Sequence, residues 1–191
     1  MAKTEPEIKA FATARAWERW LAKEPPPEGI WIRIAKPGSE IISITYDEAV
    51  EVALCYGWID GQKKAIDDEF WLQRFAPRRP GTSWSKINCG RAEAMLRAGR
   101  MKPAGKREVE RAKADGRWDA AYAGQANMAM PDDLEAALAK DADAKRFFST
   151  LDSASRYAIL YRIHDTKQPE MRARRVAQFV EMLGRHETVY T

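Results

Sequence analysis

Histidine and cysteine are scarce in this chain, with two of each among 191 residues. Cys55 and Cys89 are too few for a disulfide framework or a metal knuckle, so both are expected to be reduced thiols, Cys55 on an apolar face. No cluster of His, Cys and carboxylates stands at ligand spacing, which disfavours zinc catalysis. A P-loop and a dinucleotide glycine fingerprint are likewise missing, which disfavours nucleoside triphosphate hydrolysis, and no cofactor is expected. No apolar run approaches the roughly 20 residues that cross a bilayer. The opening MAKTEPEIKAFATARAW lacks the continuous hydrophobic centre of a secretory signal, so the expected location is the cytoplasm. Internal repeats are absent too.

What is present is the composition of an ordinary globular protein, 45% hydrophobic and 31% charged, in a chain of 21.7 kDa that can bury a real core. The net charge of +4 is modest, but Arg74 to Arg111 holds eleven basic and three acidic residues. That asymmetry points to an anionic partner: phosphate, carboxylate, lipid head group or nucleic acid. The plainer reading is a solvated charged face.

Helical spacing of Ile8, Phe11, Trp17, Trp20 and Leu21 predicts an amphipathic helix over Ile8–Lys23, ended by Pro25-Pro26-Pro27. Ile30, Ile32 and Ile34 alternate with Trp31 and Arg33, and Lys36-Pro37-Gly38-Ser39 follows as a turn before Ile41–Ile44, which together read as a hairpin. Thr45 and Glu48 form a capping box for a helix closed by a left-handed Gly57. Trp58-Ile59-Asp60 leads into a turn or bulge at Gly61, and Glu69–Phe75 is a further strand that Pro77 and Pro80 terminate. Asn88 is expected to cap a helix with face Ala92, Met95 and Leu96 that ends at Gly99. From Pro103 onward strand signals vanish. Pro131 suits a first helical position, and Val176, Phe179, Val180 and Leu183 repeat at i, i+3, i+4, i+7. The expected fold class is α+β: a small, mainly antiparallel sheet with helices in an N-terminal lobe, residues 1–122, and a helical C-terminal lobe, residues 131–184, or one compact unit containing both. Ala123–Ala129 is a loose small-residue connection between them.

The segment Ala53–Asn88 concentrates chemistry. It holds Trp58, Trp71 and Trp84 with arginines around two Gly/Pro turns. Arg78, Arg79, Gly81, Thr82, Ser83, Trp84, Ser85, Lys86 and Asn88 precede or open a helix, where unpaired N–H groups, hydroxyls and guanidinium forks make a receptor for phosphate or carboxylate. The candidate site is Asp60, Gln62, Arg74, Arg78, Arg79, Ser83, Trp84, Ser85 and Asn88. Its arginines supply charge, Ser and Asn supply geometry, Trp84 covers an apolar part of a small anionic molecule, and Asp60 orients the arginines. The bland reading is a Pro-Gly turn with Ser/Asn capping, Trp84 in the core and arginines paired to acids. The alternatives are an enzyme using Asp60 as acid or base in the same pocket, a nucleic-acid binder using the positive charge from Arg74 to Arg111, or a protein-interaction module in which the helical lobe docks a partner. Neither His164 nor His186 lies near Asp60 in sequence to complete an acid/base pair. Arg172, Arg174 and Arg175 in QPEMRARRV form a second basic group.

The motifs ALCYGWIDGQKK, FAPRRPGTSWSKIN, GRMKPAG and QPEMRARRVAQFVEML together resemble the bacterial YdeI/OmpD-associated, or bacteriocin-protection, family. The resemblance implies a mixed N-terminal fold, a helical module over about Pro131–Gly184, and a link through the family name to tolerance of antimicrobial peptides. It implies no catalytic residue and no cofactor.

Overall fold

A computed structural model of the chain describes residues 6–23, 25–124 and 127–189. Among them the N-terminal portion runs β1 (Ile8–Ala10), α1 (Ala14–Leu21), β2 (Ile30–Ala35), α2 (Tyr46–Cys55), β3 (Trp58–Ala65), β4 (Phe70–Pro77), α3 (Lys86–Arg97) and α4 (Pro103–Ala114). Four helices follow: α5 (Asp132–Leu138), α6 (Ala142–Thr150), α7 (Ser153–Asp165) and α8 (Pro169–Gly184). The class is α+β, as read from the sequence. The sheet has the order β1-β2-β4-β3, with β2–β4 and β3–β4 antiparallel and β1–β2 parallel, so it is mixed with a mainly antiparallel character. Two compact units form: one from the residues through Trp84 with Asn88–Ala120, the other from Ser85–Ile87 with the residues from Ala121 onward.

The helix expected over Ile8–Lys23 is shorter at its start. Residues 8–10 pair instead with Trp31–Arg33, an interaction some twenty residues distant that helical spacing does not reveal. The helix begins after Thr13, whose extended backbone (φ −147°, ψ 157°) and side-chain oxygen, accepting from the Ala16 amide at 3.2 Å, make it the N-cap. The hairpin return over Ile41–Ile44 does not form. Both edges of β2 are already taken, by β1 and by β4. Ser43 accepts the Ala35 amide through its hydroxyl, and Ile44 turns inward to the core while its N–H donates to the Phe11 carbonyl.

The Thr45/Glu48 capping box is complete, with Thr45 accepting from the Glu48 amide and Glu48 Oε2 accepting from the Thr45 amide at 2.9 Å. Gly57 closes the segment at φ +76°. Helix α4 reaches very close to the end of α2 because residue 105 is glycine: a Cβ there would stand 2.4 Å from the Cys55 carbonyl oxygen and 2.8 Å from that of Leu54. Helix α3 starts at Lys86, so Asn88 is a buried residue of its first turn rather than its cap. Pro131 is the N-cap of α5 (ψ 138°), one position before the helix.

Strand alternation sorts the sheet into two faces. Ile30, Ile32, Ile34 and Phe75 point to one of them and are fully buried, and Trp17 of α1 packs there at 5.8 Å from Phe75 and 6.0 Å from Trp58. Trp17 Nε1 donates to the Ala49 carbonyl at 3.1 Å, so this large ring is buried without an orphan donor. A bulge between Asp60 and Lys63 bends β3. The buried amide of Gln73 braces it, donating to the carbonyls of Gly61 (2.8 Å), Gln62 (3.3 Å) and Arg74 (3.3 Å). In the second unit Leu134, Leu138, Phe148, Ile159, Ile163, Phe179 and Leu183 form the core, and Val176, Phe179 and Leu183 mark the predicted α8 face. Of the expected Ala123–Ala129 connection, Gln125 and Ala126 lie outside the described residues.

Candidate functional site

Where β4 ends at Pro77, the Arg78 amide donates back to the Gly57 carbonyl at 3.0 Å. The chain then closes a tight turn: the Thr82 amide donates to the Arg79 carbonyl (3.1 Å) and the Arg79 amide to the Thr82 hydroxyl (3.0 Å). Arg79 and Gly81 are exposed, and nothing stands within 4 Å of where a Gly81 Cβ would be. Arg78 folds inward. Its Cζ lies 3.6 Å from the Trp84 ring centroid, and Nη1 donates to the Ser83 carbonyl at 3.1 Å. Trp118 packs on Trp84 at 4.9 Å, and Lys113 Nζ sits 5.0 Å from the Trp118 centroid. The result is a stack of two tilted rings, 53° between their planes, with a cation against each, and each cation–ring contact contributes about 0.5–2 kcal/mol. Arg117 ties the stack to the loop, donating to the Thr82 carbonyl at 2.7 Å while its Nε meets Asp115. Trp118 and Arg117 are the members of this cluster that sequence reasoning missed; the signal was an Arg-Trp pair directly after Gly116.

Trp84 is 1% exposed, and its indole N–H has no acceptor among the described residues. A buried donor in that condition costs about 1–3 kcal/mol. Cys89, also buried, lies close enough to Arg78 to feel its charge; burial still dominates and pushes the thiol up to about 11.

Asp60, Gln62 and Arg74 gather around the β3 bulge. The Tyr46 hydroxyl donates to Asp60 Oδ2 at 2.7 Å, and burial first, then that bond, push the phenol well above the ordinary tyrosine range. Gln62 is exposed and contributes its carbonyl to Gln73. The Arg74 guanidinium is directed at main-chain carbonyls, those of Ile30 (2.9 Å), Phe75 (3.0 Å) and Glu28. Burial lowers its pKa, and the neighbouring Arg79 adds a smaller repulsion. Ser85 is buried and belongs to the second unit, where it bridges to Tyr122; Asn88 is buried within α3. Thus Arg78, Arg79, Ser83 and Trp84 share one loop, while Asp60, Gln62 and Arg74 share the bulge. Among the described residues no three His, Cys, Asp or Glu side chains are placed to hold a metal ion.

Residues 9–108, just over half of the sequence, match the family described as Domain of unknown function (DUF8412). The chain belongs to the DUF8412 family. Residues 127–186 match a second family, described as bacteriocin-protection, YdeI or OmpD-associated, which supports the resemblance over that part of the chain; of the four motifs, QPEMRARRVAQFVEML lies within this match and the other three within the DUF8412 match. No curated protein and no solved structure matches the chain.

The DUF8412 match runs from β1 into α4 and so contains the sheet, the bulge and the Arg78–Trp84 loop, whereas Arg117 and Trp118 lie beyond it. The YdeI/OmpD-associated match contains the second basic group. Arg172 is a brace there: its guanidinium clamps Asp133 in two bonds of 2.6 and 2.9 Å and donates to the Ile163 carbonyl at 2.9 Å, joining α5, α7 and α8. Arg174 is exposed, and Arg175 lines a cavity of about 440 Å³ with Arg162, Phe179 and Met182. No helix among the described residues is long and apolar enough to cross a membrane.

Proposed function

We propose that the N-terminal unit recognises a small anionic group, phosphate or carboxylate, at the Arg78–Ser83 loop backed by Trp84 and Trp118. The observation that carries this reading is the buried Trp84 N–H, which lacks an acceptor while a guanidinium lies on its own ring. An anion oxygen supplies what is missing there, an acceptor for the buried donor. Exposed Arg79 and Lys113 add positive potential around the loop, and the open space at Gly81 lets a ligand reach the backbone. With its ring enclosed, Trp84 serves as a donor and cation platform, so the half-exposed Trp118 is the ring an organic part of the ligand would meet. The name of the YdeI/OmpD-associated family suggests a setting of bacteriocin or envelope stress for this recognition.

The test is the melting temperature in phosphate and in acetate against sodium chloride at equal ionic strength. The parent protein is expected to gain stability with the specific anion by mass action, rising with its concentration. Arg79→Ala and Trp84→Phe, which remove an exposed cation and the indole donor in turn, are expected to lose that gain. An undiminished anion-dependent rise in both variants refutes the placement.

A further inference from the structure

The sheet has a second face, opposite the Trp17 core. Through the strand register that face receives Ile8 of β1, Trp31 and Arg33 of β2, Phe70 and Arg74 of β4, and Lys64 of β3. Leu72, opposite Arg33 and Lys64 on this face, is buried, but the residues around it are not. Ile8 is 57% exposed, Arg33 and Lys64 are exposed, and both large rings are only partly covered. None of the strand residues in register on this face is acidic.

Partly exposed aromatic rings on a sheet face offer flat surfaces for stacking. Here each is paired with a guanidinium: Arg33 Cζ is 4.5 Å from the Phe70 centroid and Arg74 Cζ is 5.8 Å from the Trp31 centroid. The pairs sit on the adjacent strands β2 and β4, with Trp31 opposite Arg74 and Ala35 opposite Phe70, so the two rings are four register steps apart, about 13 Å along the strands. The side chains of Arg33 and Lys64 make no hydrogen bond or ion pair with another described residue, which leaves their charged donors to a partner. A face of this kind, uncompensated cations interleaved with stacking surfaces on antiparallel strands, complements a chain that carries negative charge and flat apolar faces together. A single-stranded nucleic acid is such a chain; a duplex offers the charge but hides its base faces, and an acidic peptide lacks the stacking faces.

We infer that this open sheet face binds single-stranded nucleic acid. Bases stack on the Trp31–Arg74 and Phe70–Arg33 pairs, and phosphates meet Lys64 and the outer donors of Arg33. The site is separate from the anion loop and uses different residues.

Fluorescence anisotropy of a labelled 12-nucleotide oligo(U) with the full chain tests it. Expected are saturable binding at about 50 mM salt that falls steeply by 200 mM, and weaker binding of a duplex of the same length. Arg33→Glu combined with Lys64→Glu is expected to weaken the single strand by at least about tenfold, and Phe70→Leu by about tenfold, the effect of losing one stacking position. Trp84→Phe, which removes the buried donor of the anion loop without changing charge, is expected to leave oligonucleotide affinity unchanged, which separates this proposal from the anion loop. Far-ultraviolet circular dichroism and melting of Phe70→Leu establish that it folds; Arg33→Gln, an exposed and conservative change, repeats the charge test should it not. No binding at 50 mM salt overturns the inference. So does equal binding of single strand, duplex and poly-glutamate with Phe70→Leu unaffected, which would mark a general charged surface.

Discussion

Replacing Gly105 by alanine tests whether the approach of α4 to α2 is set by a missing side chain. The new Cβ would lie 2.4 Å from the Cys55 carbonyl oxygen, 2.5 Å from the Met101 sulfur and 2.8 Å from the Leu54 oxygen. The methionine can rotate away, but the two carbonyls belong to the last turn of α2. Restoring ordinary contact at 3.4 Å requires a withdrawal of about 1 Å, the difference from 2.4 Å. That movement also stretches the 3.0 Å bond from the Lys102 amide to the same Cys55 oxygen. Overpacking of this kind costs about 1–3 kcal/mol and a weakened backbone bond about 0.5–1.5 kcal/mol. Against these stands a helix-propensity gain of at most about 1 kcal/mol. The net expectation is a loss of about 1–3 kcal/mol, read as a lower urea midpoint at unchanged slope. Gly90 is the control, because it is exposed inside α3 with nothing within 4 Å of a Cβ. Gly90→Ala should gain about 0.5–1 kcal/mol. Should Gly105→Ala stabilise the protein as Gly90→Ala does, the claimed steric demand on α4 is wrong.

Removing the Tyr46 hydroxyl with Tyr46→Phe should cost about 1–2 kcal/mol, since the bond to Asp60 is charge-assisted and half-buried. Because the folded phenol titrates above the unfolded value of 10.0, its contribution is complete below pH 10 and declines as the pH rises further; a gap between parent and variant that widens above pH 10 would contradict this. Asp133→Asn should destabilise the second unit by about 0.2–1 kcal/mol, the scale of a partly exposed pair. The Arg172 bonds hold the Asp133 carboxyl below its usual 3.8, so its contribution is present above that pH and fades as the pH falls below it. Denaturation at pH 7 and pH 3 reads the difference, and a gap that grows in acid counts against the pairing. Burial raises both thiols, Cys89 to about 11. A disulfide reagent at pH 8 should therefore modify neither in the folded protein and both in denaturant, and rapid labelling of the native chain would show the sites to be open.

What could be read from the sequence was whatever depends on residues a few positions apart. The Thr45/Glu48 box, the left-handed Gly57, the bulge after Asp60 and the α8 stripe are all written locally. What escaped depends on distant partners. Residues 8–10 look helical because Phe11, Trp17 and Leu21 continue the spacing, yet they pair with β2. Ile41–Ile44 has every local mark of a returning strand, but β2 has no edge left to offer it. The site divides in the same manner. The motif carrying Arg78 and Trp84 was visible, whereas Arg117 and Trp118 join it from more than thirty residues away. Residue type does not tell whether an arginine faces solvent or carbonyl oxygens, and Arg74 does the latter.

Ser85, Lys86 and Ile87 cluster with residues from Ala121 onward, although thirty-three residues of the first unit intervene. A ribosome therefore releases this tripeptide long before the segment that will receive it. The N-terminal unit can complete itself once Ala120 has emerged, while its neighbour must wait for a later stretch of chain to meet three residues already delivered. For the same reason a C-terminal fragment cut at Ala121 would leave behind Ser85, whose isolated bridge pairs it with Tyr122, and grafting Ser85–Ile87 onto it is the natural repair.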